Sequence, residues 1–404
     1  MIGKDFFKAG HTPTLLAAFL YFDMSFMVWV LLGALGVQIS TDLMLSPAEK
    51  GFMVAVPVLA GAVLRLVAGV LVDRIGPRRA GMICQLVVIA GLLGAWLIGV
   101  DTYAEVLAVG VVLGVAGSSF AVALPLASRW YPPRYQGVAL GIAGAGNSGT
   151  VFASLFAPSL AVLVGWQNVL ALATVPLGVA FLVYLFCAKD SPEQPAPKAL
   201  PEYLAVLKTA DAWWFMFFYG VTFGGFVGLS SSLTIFFNAE YGLTPVIAGF
   251  FTAGCVFAGS MFRPVGGALA DRIGGIRALS FMYVAAAAAL AVVSLGPASP
   301  WIALAVLVAG MGALGMGNGA VFQLVPQRFR DEIGVMTGLV GMTGGVGGFY
   351  LASSLGLAKQ ATGSYQAGFL GFAALALIAL VSLTLVKRQW RATWGAASAS
   401  AARV

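Results

Sequence analysis

The stretch Arg65-Leu-Val-Ala-Gly69-Val-Leu-Val-Asp73-Arg74-Ile75-Gly76 returns 198 residues later as Arg263-Pro-Val-Gly-Gly267-Ala-Leu-Ala-Asp271-Arg272-Ile273-Gly274. Arginine, glycine, aspartate, arginine, isoleucine and glycine recur at one constant offset, so the chain is a tandem repeat. Each copy carries a guanidinium inside an apolar segment of helical length. A charge at bilayer depth costs roughly 2.5–3.5 kcal/mol on insertion scales. Its presence at equivalent positions in both halves points to an anion site between them.

The surrounding composition places these segments in a membrane. Of 404 residues, 60% are hydrophobic and 9% charged, and the mean hydropathy is +0.96. A soluble domain carries about 25% charged residues. Cys84, Cys187 and Cys255 all lie in apolar segments and read as small packing residues, so no disulfide framework is implied. His11 is the single histidine, which excludes a His-based metal or catalytic cluster. The opening MIGKDFFKAGHTPT lacks a cleavable signal pattern, and the first apolar run is expected to stay as a helix.

About 20 apolar residues span the hydrocarbon core. Twelve runs meet this length: 13–37, 47–72, 80–100, 104–130, 136–164, 167–187, 212–238, 245–270, 277–295, 301–326, 333–358 and 366–387. The segment 188–211, with KDSPEQPAPKALPEY at its heart, is polar and proline-rich and cannot span. The expected fold is therefore all-α and integral to the membrane. Two pseudo-symmetric six-helix bundles, 1–187 and 212–404, are joined by the loop 188–211. After Lys387 the sequence RQWRATWGAASASAARV reads as a short basic interfacial turn and a disordered tail.

Charge sets the orientation. Of the 22 Lys and Arg residues, 18 fall on one side, Lys50 and Lys359 lie in the opposite loops, and Arg65 and Arg263 lie within spans. Both termini and the central loop are therefore expected in the cytoplasm, as befits a bacterial inner-membrane protein. The net charge of +7 is thus a topology signal and not a nucleic-acid footprint.

Glycines cluster in the fifth and eleventh runs. Gly137, Gly141 and Gly144 match Gly334, Gly338 and Gly341 at an offset of 197. Small residues at this spacing let helix backbones approach closely, and removing side-chain interlocking lets helices slide.

Gly69-xxx-Asp73-Arg74-x-Gly76-xx-Arg79 resembles the loop signature of the major facilitator superfamily, with its counterpart at Gly267–Arg277. Asp73, Arg74, Asp271 and Arg272 are candidates for a cytoplasmic charge latch that makes and breaks between conformations. A solvated positive-inside loop is the plainer alternative.

Arg65 and Arg263 each stand eight residues before the motif aspartate. At about 1.5 Å per residue this puts them about 12 Å inside the helix end, near the midplane where repeat-built transporters bind substrate. Arginine offers a planar fork of donors that matches a planar oxyanion such as nitrate, nitrite or a carboxylate. Asp23 is the one acid deep within a span, away from the span ends, so it cannot neutralise both arginines.

The fifth run, Gly141–Pro158 (GIAGAGNSGTVFASLFAP), resembles the signature of the nitrate/nitrite porter family within that superfamily, and the eleventh run resembles its second copy. Arginines on the second and eighth helices also fit that family, and the likeness covers essentially the whole chain. The resemblance implies an anion cradled by Arg65 and Arg263, with aromatic rings above and below and an asparagine from the fifth helix. By motif position these are Phe120, Tyr219, Phe223 and Asn147, with Gly144 and Gly344 from the two glycine signatures. Read from the residues alone, Tyr219 and Phe223 share a helical face, and Asn147 is a lone amide among glycines. Core packing for the rings, and an interhelical hydrogen bond for the amide, remain open.

Asp23 is a candidate proton carrier, because an intramembrane carboxyl can change charge. The stretch FDMSFMVWVLLG resembles the proton-coupled importer branch of the family. A fixed ion pair with Arg65 or Arg263 is the alternative. If Asp23 stands beside the arginines, its protonation would raise the pocket charge from +1 to +2 and draw the anion in. The expected function is nitrate import, with nitrite as a second substrate, coupled to protons. Nitrate/nitrite exchange and a non-transporting anion sensor are the alternatives. No phosphate loop or catalytic set is present, so neither an enzyme nor a cofactor is expected. The fold implies a monomer whose partners are the anion, protons and the lipid bilayer.

Overall fold

The computed structural model describes residues 4–192, 201, 205–329 and 332–394. These residues form helices and no strand. Twelve helices are long and apolar enough to cross a membrane. In chain order they are α1 (Thr12–Trp29), α2 (Pro47–Ile75), α3 (Pro77–Ile98), α4 (Tyr103–Ser128), α5 (Val138–Val164) and α6 (Trp166–Cys187), then α7 (Ala210–Tyr241), α8 (Pro245–Ile273), α9 (Gly275–Ser294), α10 (Pro300–Arg328), α11 (Ile333–Thr362) and α12 (Gln366–Ala392). Number and order agree with the expected spans. Part of the joining segment, 193–200 and 202–204, and the tail 395–404 lie outside the described residues.

Local sequence sets the helix ends. At α2 the Ser46 hydroxyl accepts the Glu49 N–H at 3.3 Å, and Glu49 Oε2 accepts the Ser46 N–H at 2.8 Å. This reciprocal capping satisfies two orphan donors, and Thr102 and Glu105 repeat it at α4. The last residue of each repeated stretch, Gly76 or Gly274, has φ of 86° or 97°. That conformation favours glycine, so the recurring glycine ends α2 and α8 and turns the chain into α3 and α9.

Interruptions of the spans matter more than their lengths. Past Trp29, α1 continues as two short helices, Leu31–Ala34 and Gly36–Asp42. In α4 the helix breaks between Gly117 and Phe120. In α5 a 3₁₀ turn, Ala145–Ser148, separates two helical pieces and carries Asn147. Such mid-helix turns often mark hinges.

The duplication shows in the packing. In one half α1 lies on α5, and in the other α7 lies on α11. A Cβ at Gly149 would fall on the carbonyl oxygen of Asp23, and a Cβ at Gly347 on that of Gly220. The glycines are 198 residues apart and the carbonyls 197. Between the halves α2 packs on α11 and α5 on α8, the pairing a pseudo-twofold relation requires. Burial orders the layers: α7 is almost wholly buried and α3 largely exposed, so α7 is central and α3 peripheral.

The halves meet unevenly. Away from the basic face, Gly51 lies on Gly356, Gly249 on Ser154 and Pro158, and Gly33 on Ser231. There the Ala48 N–H also donates to Gln360 Oε1 at 3.0 Å. Toward the basic face, a Cβ at Gly141, Gly144, Gly334 or Gly338 would meet nothing within 4 Å. Among the described residues, hydrogen bonds and ring contacts between halves lie at the level of the arginines or beyond it, away from the basic face.

One expectation is corrected. Beyond Lys387 the chain remains helical to Ala392 instead of forming an interfacial turn. Trp390 stacks on Phe215 with centroids 4.7 Å apart, and its N–H donates to Asp211 Oδ1 at 2.8 Å. Burying a large ring with its polar atom satisfied favours continuing the helix.

Candidate functional site

Arg65 reaches the centre from α2 and is 1% exposed. Its Nε donates to the Gly117 carbonyl on α4 at 3.1 Å, and its Nη1 donates to the Gly341 carbonyl on α11. Nη2 is buried with no partner. Trp29, Phe120 and Phe223 place ring centroids 5.2, 5.3 and 5.3 Å from the guanidinium carbon, within cation–π range. The Trp29 N–H is itself anchored on the Pro57 carbonyl at 2.7 Å. A side chain at Gly61 or Gly117 would strike that indole, so these two glycines make room for the ring.

Arg263 enters from α8 and is only partly buried. Its guanidinium carbon lies 5.5 Å from the Phe322 centroid, and its Nη1 has no partner. Tyr219 joins the two arginines. Its ring stacks on Phe223 at 5.1 Å and meets Phe322 edge-on at 5.0 Å. Its buried hydroxyl lies within electrostatic reach of both guanidiniums. Arg65 and Arg263 are also within reach of each other, and neither forms an ion pair among the described residues.

Asn147 is buried, and its Oδ1 is unpartnered. Its main-chain carbonyl accepts from Ser260 at 3.4 Å, one helical turn before Arg263 on α8. Gly144, one turn before Asn147, is buried yet fronts open space. Gly344 packs against the rings, where a Cβ would come 2.7 Å from Phe223 and 2.9 Å from Tyr219. One turn earlier, Gly341 supplies the carbonyl to Arg65, because the helical pitch turns that residue, and not Gly344, toward α2.

Asp23 is 3% exposed and pairs with neither arginine. Its Oδ1 accepts from the Ser148 hydroxyl at 2.7 Å. The expected direct effect of its charge on the arginines is therefore replaced by a contact with the residue next to Asn147.

The latch residues are only partly brought together. Asp73 meets Arg129 at the end of α4 at 3.1 Å. Arg74, Asp271 and Arg272 are exposed, and none forms an ion pair among the described residues. Adjacent residues on a helix point about 100° apart, so Asp73 turns inward while Arg74 turns to solvent. In the second half Arg328, 199 residues after Arg129, pairs with Asp211 instead.

Two guanidiniums with free N–H groups, one buried and one partly buried, together with a phenol and an amide and walled by rings, can hold a flat anion against π faces. Trp29, Phe322 and Gly341 were not foreseen as members. A tryptophan within a span needs a partner for its N–H, and that signal could have found Trp29. Phe322 carried none, being one of 28 phenylalanines.

The Major Facilitator Superfamily model matches residues 17–352. Curated relatives include the "Nitrite extrusion protein" of Bacillus subtilis (strain 168), 33% identical over 89% of this chain and 90% of its own length. The "Probable nitrate/nitrite transporter NarK2" of Mycobacterium tuberculosis is 33% identical over 94% of this chain and 98% of its own. The "Probable nitrate/nitrite antiporter NarK1" of Thermus thermophilus is 30% identical over 91% and 90%. Among solved structures, a bacterial homologue of the human lysosomal transporter Spinster, inward-facing and occupied, superposes with a TM-score of 0.73 at 17% identity, covering 93% of this chain and 97% of that one. The nucleoside transporter NupG gives 0.71 at 15% identity over 92% and 99%. With the full span of the superfamily fold and relatives of this similarity, the chain belongs to the nitrate/nitrite porter family of the major facilitator superfamily.

Proposed function

We propose that this chain imports nitrate, and nitrite as a second substrate, together with protons across the inner membrane by alternating access. The observation that carries this reading is the central pair of guanidiniums with free donors and no carboxylate partner among the described residues. In a low-dielectric interior such a pair repels, so closing the halves around it is unfavourable until an anion sits between. The bound anion offsets the repulsion and lets the bundles 1–187 and 212–404 rock about the site. The positive-inside bias makes the basic face cytoplasmic, so the parted side opens inward. Gly141, Gly144, Gly334 and Gly338 front free space on that side and become the sliding contacts on closure. Asp73 with Arg129 and Asp211 with Arg328 brace that face within each half. The names of the relatives, nitrate and nitrite transporters, support the substrate.

Asp23 supplies the proton step. The Ser148 hydroxyl has one hydrogen and two acceptors in reach, Asp23 Oδ1 at 2.7 Å and the Ala145 carbonyl at 2.9 Å. An ionised carboxylate is the stronger acceptor. Protonation of Asp23 frees that hydrogen for Ala145, tightening the 3₁₀ turn that holds Asn147. The test is nitrate uptake into proteoliposomes with and without an inward proton gradient. Wild type should accumulate nitrate on the gradient, whereas Asp23→Asn should lose accumulation and keep passive counterflow. Undiminished gradient-driven accumulation in Asp23→Asn would refute the coupling role.

Exchange of nitrate for nitrite is the second reading, favoured by the absence of any ion pair between Asp23 and the arginines. It predicts uptake that ignores the gradient and rises with internal nitrite.

A further inference from the structure

Asn318 on α10 is fully buried, and neither its Nδ2 nor its Oδ1 has a hydrogen-bond partner. A buried amide with both groups unmet is costly, and its surroundings show what would satisfy it. Leu314, Asn318 and Phe322 are four apart and share one helix face. Leu314 closes on Gly225 of α7, where a Cβ would lie 2.9 Å away. Phe322 covers the Arg263 guanidinium and meets Tyr219. On either side of Asn318, Gly317 abuts Thr222, whose Oγ1 is also unpartnered, and Gly319 abuts the backbone of Arg263. The amide therefore faces the wall formed by the Tyr219 turn of α7 and the Arg263 turn of α8.

The duplication supplies an independent observation. Leu113-Gly114, Gly117 and Pro125 of α4 correspond to Leu314-Gly315, Asn318 and Pro326 of α10 at an offset of 201. Gly117 is the residue whose carbonyl takes Arg65 Nε at 3.1 Å. Asn318 thus occupies, beside Arg263, the position that steadies Arg65 in the other half, and Arg263 Nη1 is free.

We propose that Asn318 is a further polar contact of the anion site, its Oδ1 accepting from Arg263 and its Nδ2 donating to an oxygen of the bound oxyanion. This rests on the anion reading above. A planar anion with three oxygens can engage both guanidiniums and the amide together. Nitrite has no third oxygen and offers only the weaker acceptor of its nitrogen lone pair in that direction. Asn318 therefore favours nitrate over nitrite.

The test is Asn318→Leu, near-isosteric and apolar, with Asn318→Ser as a milder second variant. The readouts are thermal unfolding of the purified protein with and without nitrate or nitrite, and half-saturation in reconstituted uptake. Expected for Asn318→Leu is a melting temperature without anion no lower than wild type. Nitrate half-saturation should rise about tenfold or more, with a clearly smaller rise for nitrite, and Asn318→Ser should fall between. Unchanged nitrate half-saturation, or equal losses for both anions, overturns the assignment. A lower melting temperature with unchanged half-saturation makes the amide a structural tie between α8 and α10. Wild type that gains no stability from either anion and takes up neither overturns the anion reading, and the Asn318 contact with it.

Discussion

Arg65→Lys is expected to lower nitrate uptake by at least about 100-fold while the protein still folds. Arg65 already gives Nε to Gly117 and Nη1 to Gly341, and keeps Nη2 free. One planar group thus holds two helices and still offers a donor inward. Lysine places a single compact ammonium at the end of a flexible stem and cannot reproduce the fork. Losing the charge-assisted bond from the free donor to the anion, at roughly 1.5–3 kcal/mol, corresponds to about 10–10²-fold in affinity, and the two bonds that fix the guanidinium in place are lost with it. The ammonium also loses the flat stacking that Trp29, Phe120 and Phe223 give the guanidinium. The measurement is the initial rate of nitrate uptake into vesicles, with a size-exclusion profile as the folding control. A well-folded variant within tenfold of wild type would remove Arg65 from the site. Arg263→Lys should also stop transport, with less effect on stability, because Arg263 is only partly buried.

The second large effect separates two kinds of glycine. Gly149→Ala drives a methyl group into the Asp23 carbonyl. Both partners are backbone, so α1 and α5 must separate, and overpacking of this kind costs about 1–3 kcal/mol or more. The expected result is a lower melting temperature and loss of transport, and Gly347→Ala should do the same through Gly220. Gly338→Ala should behave in the opposite way. Its methyl meets nothing within 4 Å here, and alanine gains roughly 0.5–1 kcal/mol of helix stability over glycine. Stability should hold or rise while transport slows, because the added methyl obstructs closure of the basic side. Thermal melts beside uptake rates decide the matter. Equal destabilisation by Gly149→Ala and Gly338→Ala would contradict a structure parted on the basic face.

Much of the site was legible because burying charge in a membrane is so unfavourable that each instance needs a reason. Arg65, Arg263 and Asp23 stood out on that ground, and the repeat tied the arginines to equivalent depths. Asn147 was visible as an amide among glycines. The same signal was present in Gly317-Asn318-Gly319, yet no second motif pointed to it. The partner of Asp73 was not legible, since the motif supplies Arg74 as a neighbour while the fold supplies Arg129 from 56 residues away. The choice between Gly341 and Gly344 depended on the rotation of α11 about its own axis, which a glycine-rich pattern does not specify.

The sequence by itself determined the twelve spans, the duplication, the side that carries the basic loops, and the depth of the two guanidiniums. These follow from hydropathy, helical rise and charge, which act locally along the chain. Only the tertiary structure decided that Trp29 and Phe322 wall the site, that Asp23 speaks to Ser148 instead of to the arginines, and which face of the molecule is parted. Those outcomes depend on how helices from distant parts of the chain rotate and cross, as when Gly341 meets Arg65 across 276 residues. Close-packed backbones settle that geometry together, so no single segment encodes it.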